Sequence, residues 1–169
     1  MSTDLRPLDA ADLAGVLALN QDHVPQVGPL DAARLRSIVD ECTLALVVAD
    51  PDGAGGDVDA VVLVLGPGAS YDSPNYRWFA ERYEDFRYVD RIAVADGAHR
   101  RGLGRRLYTA VFDHARVEGA PVVTAEVNLE PPNPASLAFH AALGFVEVGQ
   151  QDTYDATVRV SLLAAPVTR

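Results

Sequence analysis

Residues 88–107 read YVDRIAVADGAHRRGLGRRL, and this stretch changes character twice. Tyr88 to Ala95 alternates into an apolar end, the pattern of a β-strand, and Asp96 to Arg101 has the composition of a tight turn. Leu103, Leu107, Val111 and Ala115 then fall at helical spacing, which predicts a helix from about Arg101 to Glu118, ended by Gly119. Gly102 and Gly104 sit in its first turn, where the missing side chains let a diphosphate reach the roughly four backbone N–H groups that any helix start leaves free. The helix dipole favours the anion, and Arg100, Arg101, Arg105 and Arg106 offer charge-assisted hydrogen bonds to it.

Three readings of the turn compete. A nucleoside-triphosphate loop needs a lysine, and the sequence contains none. A dinucleotide fingerprint, and with it a nucleotide-dependent oxidoreductase, needs a third glycine where this chain has Leu107. The third reading is a helix start that merely tolerates glycine beneath a solvated arginine face.

Outward from the turn, the chain reads as alternating elements. Asp4 to Leu8 suits a strand, and Asp9 to Asn20 a helix with Asp9 as N-cap; Asp31 caps a second helix through Cys42. Thr43 to Ala49 and Val58 to Leu65 form two core strands of a hairpin, joined through Asp50-Pro51-Asp52-Gly53 and Gly55-Gly56-Asp57. Loop chemistry runs from Gly66 to Asn75, and Tyr76 to Arg87 sets Tyr76, Trp78, Phe79, Tyr83 and Phe86 among charges, an aromatic segment placed to cover a pocket or to fill a small core. Val122 to Val127 is a strand, Pro134 to Leu143 a helix closed by Gly144, and Phe145 to Val148 with Ala156 to Leu163 supply the last strands. No repeat or linker divides the chain, so residues 1–169 are expected to form a single domain.

The composition narrows the class. A hydrophobic content of 49% with 22% charged residues is that of an ordinary globular domain. No apolar run reaches the ~20 residues of a membrane-spanning helix, and the first residues lack the pattern of a secretory signal; the expected place is the cytoplasm, without a membrane partner. The net charge of −10 disfavours a nucleic-acid backbone and attracts cations, although most acidic proteins carry such charge for solubility. Cys42 is the sole cysteine and reads as a buried small hydrophobe; no close Cys or His pair has ligand spacing, so no metal is expected.

A second motif follows the arginine turn: NPASLAFHAALGF, residues 133–145. Asn133 suits an N-cap, Pro134 the first helical position and Gly144 the residue past the end. In order and distance the two motifs resemble the GNAT superfamily of N-acetyltransferases, whose coenzyme turn runs Gln or Arg, two free positions, Gly, a free position, then Gly or Ala. That pattern falls on His99, Gly102 and Gly104, with His99 departing from it. The resemblance spans roughly Tyr88 to Phe145.

It implies a mixed α/β (α+β) fold: a central, mostly antiparallel sheet of six to seven strands with a splayed parallel pair, flanked by about four helices. It implies acetyl-CoA as cosubstrate and an amine acceptor, a small-molecule amine or a peptide N-terminus, acetylated by direct attack. The pantetheine arm would pair with Ile92, Ala93 and Val94; His99, Arg100, Arg101, Gly102, Leu103, Gly104 and Arg105 would hold the pyrophosphate; Asn133, Ser136 and Phe139 of the late helix would complete the coenzyme site. Glu126 matches in position the base of ribosomal-protein N-terminal acetyltransferases, with Asp90 as the rival carboxylate, and His140 stands where the family places a tyrosine as acid; Tyr88, Tyr71, Tyr76 or Tyr83 in its place, or departure of the thiolate unassisted, are the alternatives. Against these roles stand core packing for Ile92 and Val94, a salt-bridged or edge-exposed acid for Asp90 and Glu126, and a structural histidine for His140. The departure at His140 keeps a second class open, a non-catalytic acyl-CoA-binding sensor or structural protein, and the resemblance leaves room for a homodimer.

Overall fold

The computed structural model describes residues 4–49, 57–153 and 156–169; the expected hairpin turn over 50–56 lies outside them. Strands β1 (Asp4–Pro7), β2 (Leu44–Ala49), β3 (Val58–Leu65), β4 (Arg87–Val94), β5 (Val122–Glu130), β6 (Val146–Thr153) and β7 (Val158–Pro166) form one sheet in the order β1-β2-β3-β4-β5-β7-β6. Every neighbouring pair is antiparallel except β4–β5. Around it lie helices α1 (Leu13–Asp22), α2 (Ala32–Glu41), α3 (Pro74–Ala80), α4 (Leu103–Val117) and α5 (Pro134–Ala142), with 3-10 turns at Ala10–Asp12 and Asp96–Arg101.

Local chemistry sets the helix boundaries. Asp31 Oδ1 accepts from Arg34 N–H at 2.7 Å at the start of α2, and Asn133 Oδ1 accepts from Ser136 N–H at 3.3 Å at the start of α5, each satisfying an orphan donor. The aromatic segment contains α3, one helix more than the four expected. Its start carries a recognisable signal, since Ser73 Oγ accepts from Tyr76 N–H and Pro74 occupies the first turn.

The sheet has two covered faces. On one, Leu103, Leu107, Val111 and Ala115 of α4 pack with Val62, Val89, Val123 and Ala125. On the other, Val16, Leu35, Ile38, Phe79 and Phe86 pack with Val47, Leu63, Tyr88 and Leu162. Because strands of the central sheet are buried on both sides, β2 and β3 read as continuous apolar runs.

Two irregularities position the site. β4 and β5 pair only at Arg87 with Val123 and Tyr88 with Thr124, and beyond those residues they part. On its other edge β4 pairs with β3, but the register slips: Val64 faces Val89 and Leu63 faces Arg91, so Asp90 is the extra residue of a β-bulge. The bulge shifts the alternation by one. Val89 and Ile92 both pack on the α4 side, whereas Tyr88 and Ala93 lie on the other.

At the far edge, α3 packs under β6 through a glycine. A Cβ on Gly149 would lie 2.5 Å from Trp78 Cζ2, and the Trp78 ring is held between Phe79 and the Arg82 guanidinium. Gly149→Ala is therefore expected to cost about 1–3 kcal/mol in urea unfolding, and the cost should vanish in a Trp78→Ala background, where the clash has been removed.

Candidate active site

The gap between the parted strands holds two carboxylates. Continuing the parallel register from Tyr88–Thr124 sets Asp90 level with Glu126, two residues past the last paired position. Tyr88 O–H donates to Glu126 Oε1 at 2.9 Å, and Tyr71 O–H donates to Asp90 Oδ1 at 2.6 Å. Arg91 Nε lies 3.3 Å from Asp90 Oδ2, while Arg91 Nη1 donates to Asn20 Oδ1 at 2.9 Å and to the Gly28 carbonyl at 2.6 Å. The bulge permits this arrangement, because it turns Asp90 and Arg91, adjacent in sequence, toward the same side. An outer pair, Arg34 with Asp72, closes over Tyr71, with the Arg34 guanidinium 5.0 Å from that ring's centre.

The two acids differ in what remains free. Asp90 Oδ2 and Glu126 Oε2 are both buried without a hydrogen-bond partner among the described residues, but Asp90 Oδ2 has the Arg91 guanidinium beside it as an ion-pair partner and Glu126 has none there. Burial, and after it the Asp90 carboxylate, push the Glu126 carboxyl up to about 8; the Tyr88 hydroxyl and the nearby Asn75 side chain pull the other way. Burial raises Asp90 too, opposed first by Arg91 and then by Tyr71. Tyr71 and Tyr88 are raised by burial and by these carboxylates, so both remain protonated donors at neutral pH.

The coenzyme candidates lie further along β4 and α4. Ile92, Ala93 and Val94 pair with Val62, Val61 and Ala60 on the β3 side, and past Tyr88 the opposite edge of β4 has no β5 partner. Gly102 adopts φ +69°, a left-handed conformation that favours glycine, and it starts α4 without a side-chain cap. The bond from Arg106 N–H to the Gly102 carbonyl at 3.1 Å opens the helical ladder, so the amides of Leu103, Gly104 and Arg105 precede it. The Leu103 side chain is in the core. Arg100 and Arg105 are exposed, while Arg101 Nη1 pairs with Asp59 Oδ2 at 2.7 Å, which ties the turn to β3. Gly104 has a second reason to be glycine: a Cβ there would lie 3.0 Å from Phe139 Cζ, so α5 seats against the start of α4.

The late-helix candidates are structural in large part. Asn133 caps α5, and Phe139 packs against Gly104 and Tyr108. His140 is buried among Tyr108, Phe139 and Phe145. Its Nδ1 lies 2.8 Å from the Ser136 carbonyl, which can only accept, so Nδ1 carries the proton and Nε2 accepts from Tyr108 O–H at 2.6 Å. Burial lowers its pKa, which keeps it neutral. Ser136 Oγ also approaches Nδ1, at 3.3 Å. Missing from the sequence reading were Tyr71, Asn75 and Arg91 as parts of one network with Asp90 and Glu126; they are brought together by long-range packing that no local spacing reveals.

The raised Glu126 pKa has a consequence for stability. Between its ordinary 4.5 and about 8 the unfolded chain has released this proton and the folded chain has not, so the contribution is fully present below 4.5 and is lost as pH rises toward 8. Urea unfolding measured from pH 5 to 8 should show a downward slope that Glu126→Gln reduces, with the variant at least as stable as the parent at pH 8.

Comparison with known proteins agrees with this geometry. Residues 69–145 match the family model for the GNAT acetyltransferases. An L-methionine sulfoximine/L-methionine sulfone acetyltransferase from Pseudomonas paraeruginosa is 30% identical over 159 residues, covering 89% of this chain and 84% of that protein. Among solved structures, Ard1 from Thermoplasma volcanium superposes with a TM-score of 0.79 at 16% identity, covering 100% of both chains. The putative acetyltransferase yncA from Salmonella typhimurium, solved with acetyl-CoA, superposes with a TM-score of 0.69 at 20% identity over 100% of this chain and 96% of that one. With the parted β4–β5 pair, the glycine-started α4 and these relatives in hand, the chain belongs to the GNAT family and is an acetyltransferase.

Proposed function

We propose that the protein transfers the acetyl group of acetyl-CoA directly to the primary amine of a small polar molecule, with Glu126 as the base. The observation that carries this reading is the pair of carboxylates at one level of the strand gap, of which Asp90 is ion-paired with Arg91 while Glu126 has no ion pair among the described residues. The pantetheine arm lies along the β4 edge at Ile92 to Val94, and the pyrophosphate meets the backbone from Gly102 to Arg105 with Arg100 beside it. The sulfoximine and sulfone named for the Pseudomonas relative are small amino acids bearing a primary amine, which favours the small-molecule branch over a peptide N-terminus.

An alkyl amine arrives protonated, with a pKa of about 10, and must lose a proton before it can attack. Asp90, and Glu126 in its ionised form, attract the ammonium form. Ionised Glu126 Oε2 takes one proton, the amine nitrogen bonds to the thioester carbon, and the C–S bond breaks; the second proton, which the nitrogen loses on becoming the amide, goes to the departing coenzyme thiolate. With its pKa near 8, Glu126 accepts that proton at a cost of about 3 kcal/mol, against about 8 kcal/mol for an ordinary glutamate. His140, neutral and held by Ser136 and Tyr108, is given no proton to donate in this scheme. A thiol of ordinary acidity, near ~8.5 for cysteine, leaves as the thiolate unaided.

Thiol release from acetyl-CoA with a panel of amino acids and small amines tests the proposal. The log of kcat/KM should rise with pH and level off near 8. Glu126→Gln should lose about 100-fold or more in kcat and flatten the profile while KM for acetyl-CoA stays within about twofold. Retention of full activity and of the pH profile in Glu126→Gln would remove Glu126 from the mechanism.

A further inference from the structure

Outside the strand gap, one cluster combines donors that the sequence holds far apart. His23, the residue that caps the C-terminal end of α1, meets Asp96 and His99 of the 3-10 turn between β4 and α4, and a ligand atom from each lies within 4.8 Å of the others. Among the described residues it is the one trio of its kind. The sequence reading expected no metal because no two histidines stand at chelating spacing; here Asp96 and His99 share one turn, and the third donor comes from a distant helix.

Each imidazole is oriented by a main-chain carbonyl, with His23 part-buried and His99 and Asp96 exposed. His23 Nδ1 lies 2.9 Å from the Leu19 carbonyl and His99 Nε2 lies 2.8 Å from the Val94 carbonyl. A carbonyl can only accept, so these nitrogens carry the protons, and His23 Nε2 and His99 Nδ1 are left with lone pairs; His99 Nε2 also lies 3.8 Å from Asp96 Oδ1. A main-chain carbonyl behind the ring is the usual device for fixing the tautomer and orientation of a ligating histidine. His23 Nε2 is moreover buried and makes no hydrogen bond among the described residues, while Asp96 Oδ1 lies 3.9 Å from it. Tetrahedral zinc with bonds of 2.0–2.1 Å needs donors about 3.3 Å apart, so donors within 4.8 Å of one another close by at most about 1.5 Å to complete the site.

We infer that His23, through Nε2, together with Asp96 and His99 binds a divalent transition-metal ion of the zinc class, with water in the fourth position. Two imidazoles and one carboxylate suit zinc better than calcium or magnesium, which take oxygen ligands. The chain's charge of −10 favours cation uptake. Once bound, the ion fastens the turn Asp96–Arg101 to the end of α1 and so braces the segment that delivers Gly102 to the start of α4. The histidine at position 99 thereby acquires a role of its own, where the family pattern has Gln or Arg.

Chelator-treated full-length protein, titrated with Zn2+ against a chromophoric competitor, should bind one ion per chain. His23→Ala, Asp96→Asn and His99→Ala should each weaken binding at least 10-fold, while His114→Gln, on the far part of α4, leaves it unchanged. Co2+ should give the visible d–d absorption of a tetrahedral nitrogen and oxygen site, without the thiolate charge-transfer band that Cys42 would produce. At about 100 times its dissociation constant, Zn2+ should raise Tm by roughly 5–10 °C in the parent and not in His23→Ala. Absence of binding at submillimolar Zn2+, or binding that survives all three substitutions, would overturn the assignment. Folding of each variant is checked by its own Tm without metal, so a lost site and a lost fold are told apart.

Discussion

The site depends on the parting of β4 and β5 after only two parallel pairs, Arg87 with Val123 and Tyr88 with Thr124. Parallel strands would otherwise satisfy each other's backbone along their whole length; here the ladder ends at Tyr88 and Thr124. An unpaired strand edge inside a protein costs free energy unless another donor and acceptor array covers it. The uncovered edge of β4 is thus a place for an extended ligand with amides of its own, and the widening gap is where polar side chains can meet with little water. The bulge at Asp90 adds to this by aiming two consecutive residues, Asp90 and Arg91, to one side.

Electrostatics then follow from the architecture. Burial in the gap raises the proton affinity of both carboxylates, and the Asp90 charge raises that of Glu126 further. Tyr71, Tyr88, Arg91 and Asn75 hold the pair in place without neutralising both acids equally: Asp90 keeps its arginine, and Glu126 bears the larger consequence of burial. A group near 8 matches an amine donor better than a surface glutamate does, at the expense of stability that declines as pH rises. The coenzyme end is made from different physics: an uncapped helix start, a left-handed glycine and exposed arginines, with Arg101 anchored by Asp59.

Much of this was legible in the sequence, for physical reasons that differ by element. The strand–turn–helix from Tyr88 to Val117 and the capped helix from Pro134 were readable because periodicity and caps are local. Ser73-Pro74 also announced a helix, although the cluster of aromatics around it drew the reading toward a covering loop. The bulge left a trace as well: Val89, Ile92 and Val94 are spaced by three and then two, a slip in an otherwise two-residue alternation. Gly104 was read for its ligand alone, and its contact with Phe139 required knowing that α5 crosses the start of α4. The partners of Asp90, Arg91 and His140 were not readable, since Tyr71, Asn20, Gly28 and Tyr108 come from elements whose docking only the tertiary fold decides.

The central claim is that the open edge of β4 and the start of α4 form one continuous coenzyme site. Amide hydrogen exchange with and without acetyl-CoA tests it most directly. The account predicts slowed exchange concentrated at Ile92 to Val94 and at Gly102 to Arg106, with the β1–β2 edge unchanged. Protection that spares both segments, or that appears at the opposite edge of the sheet, would contradict it.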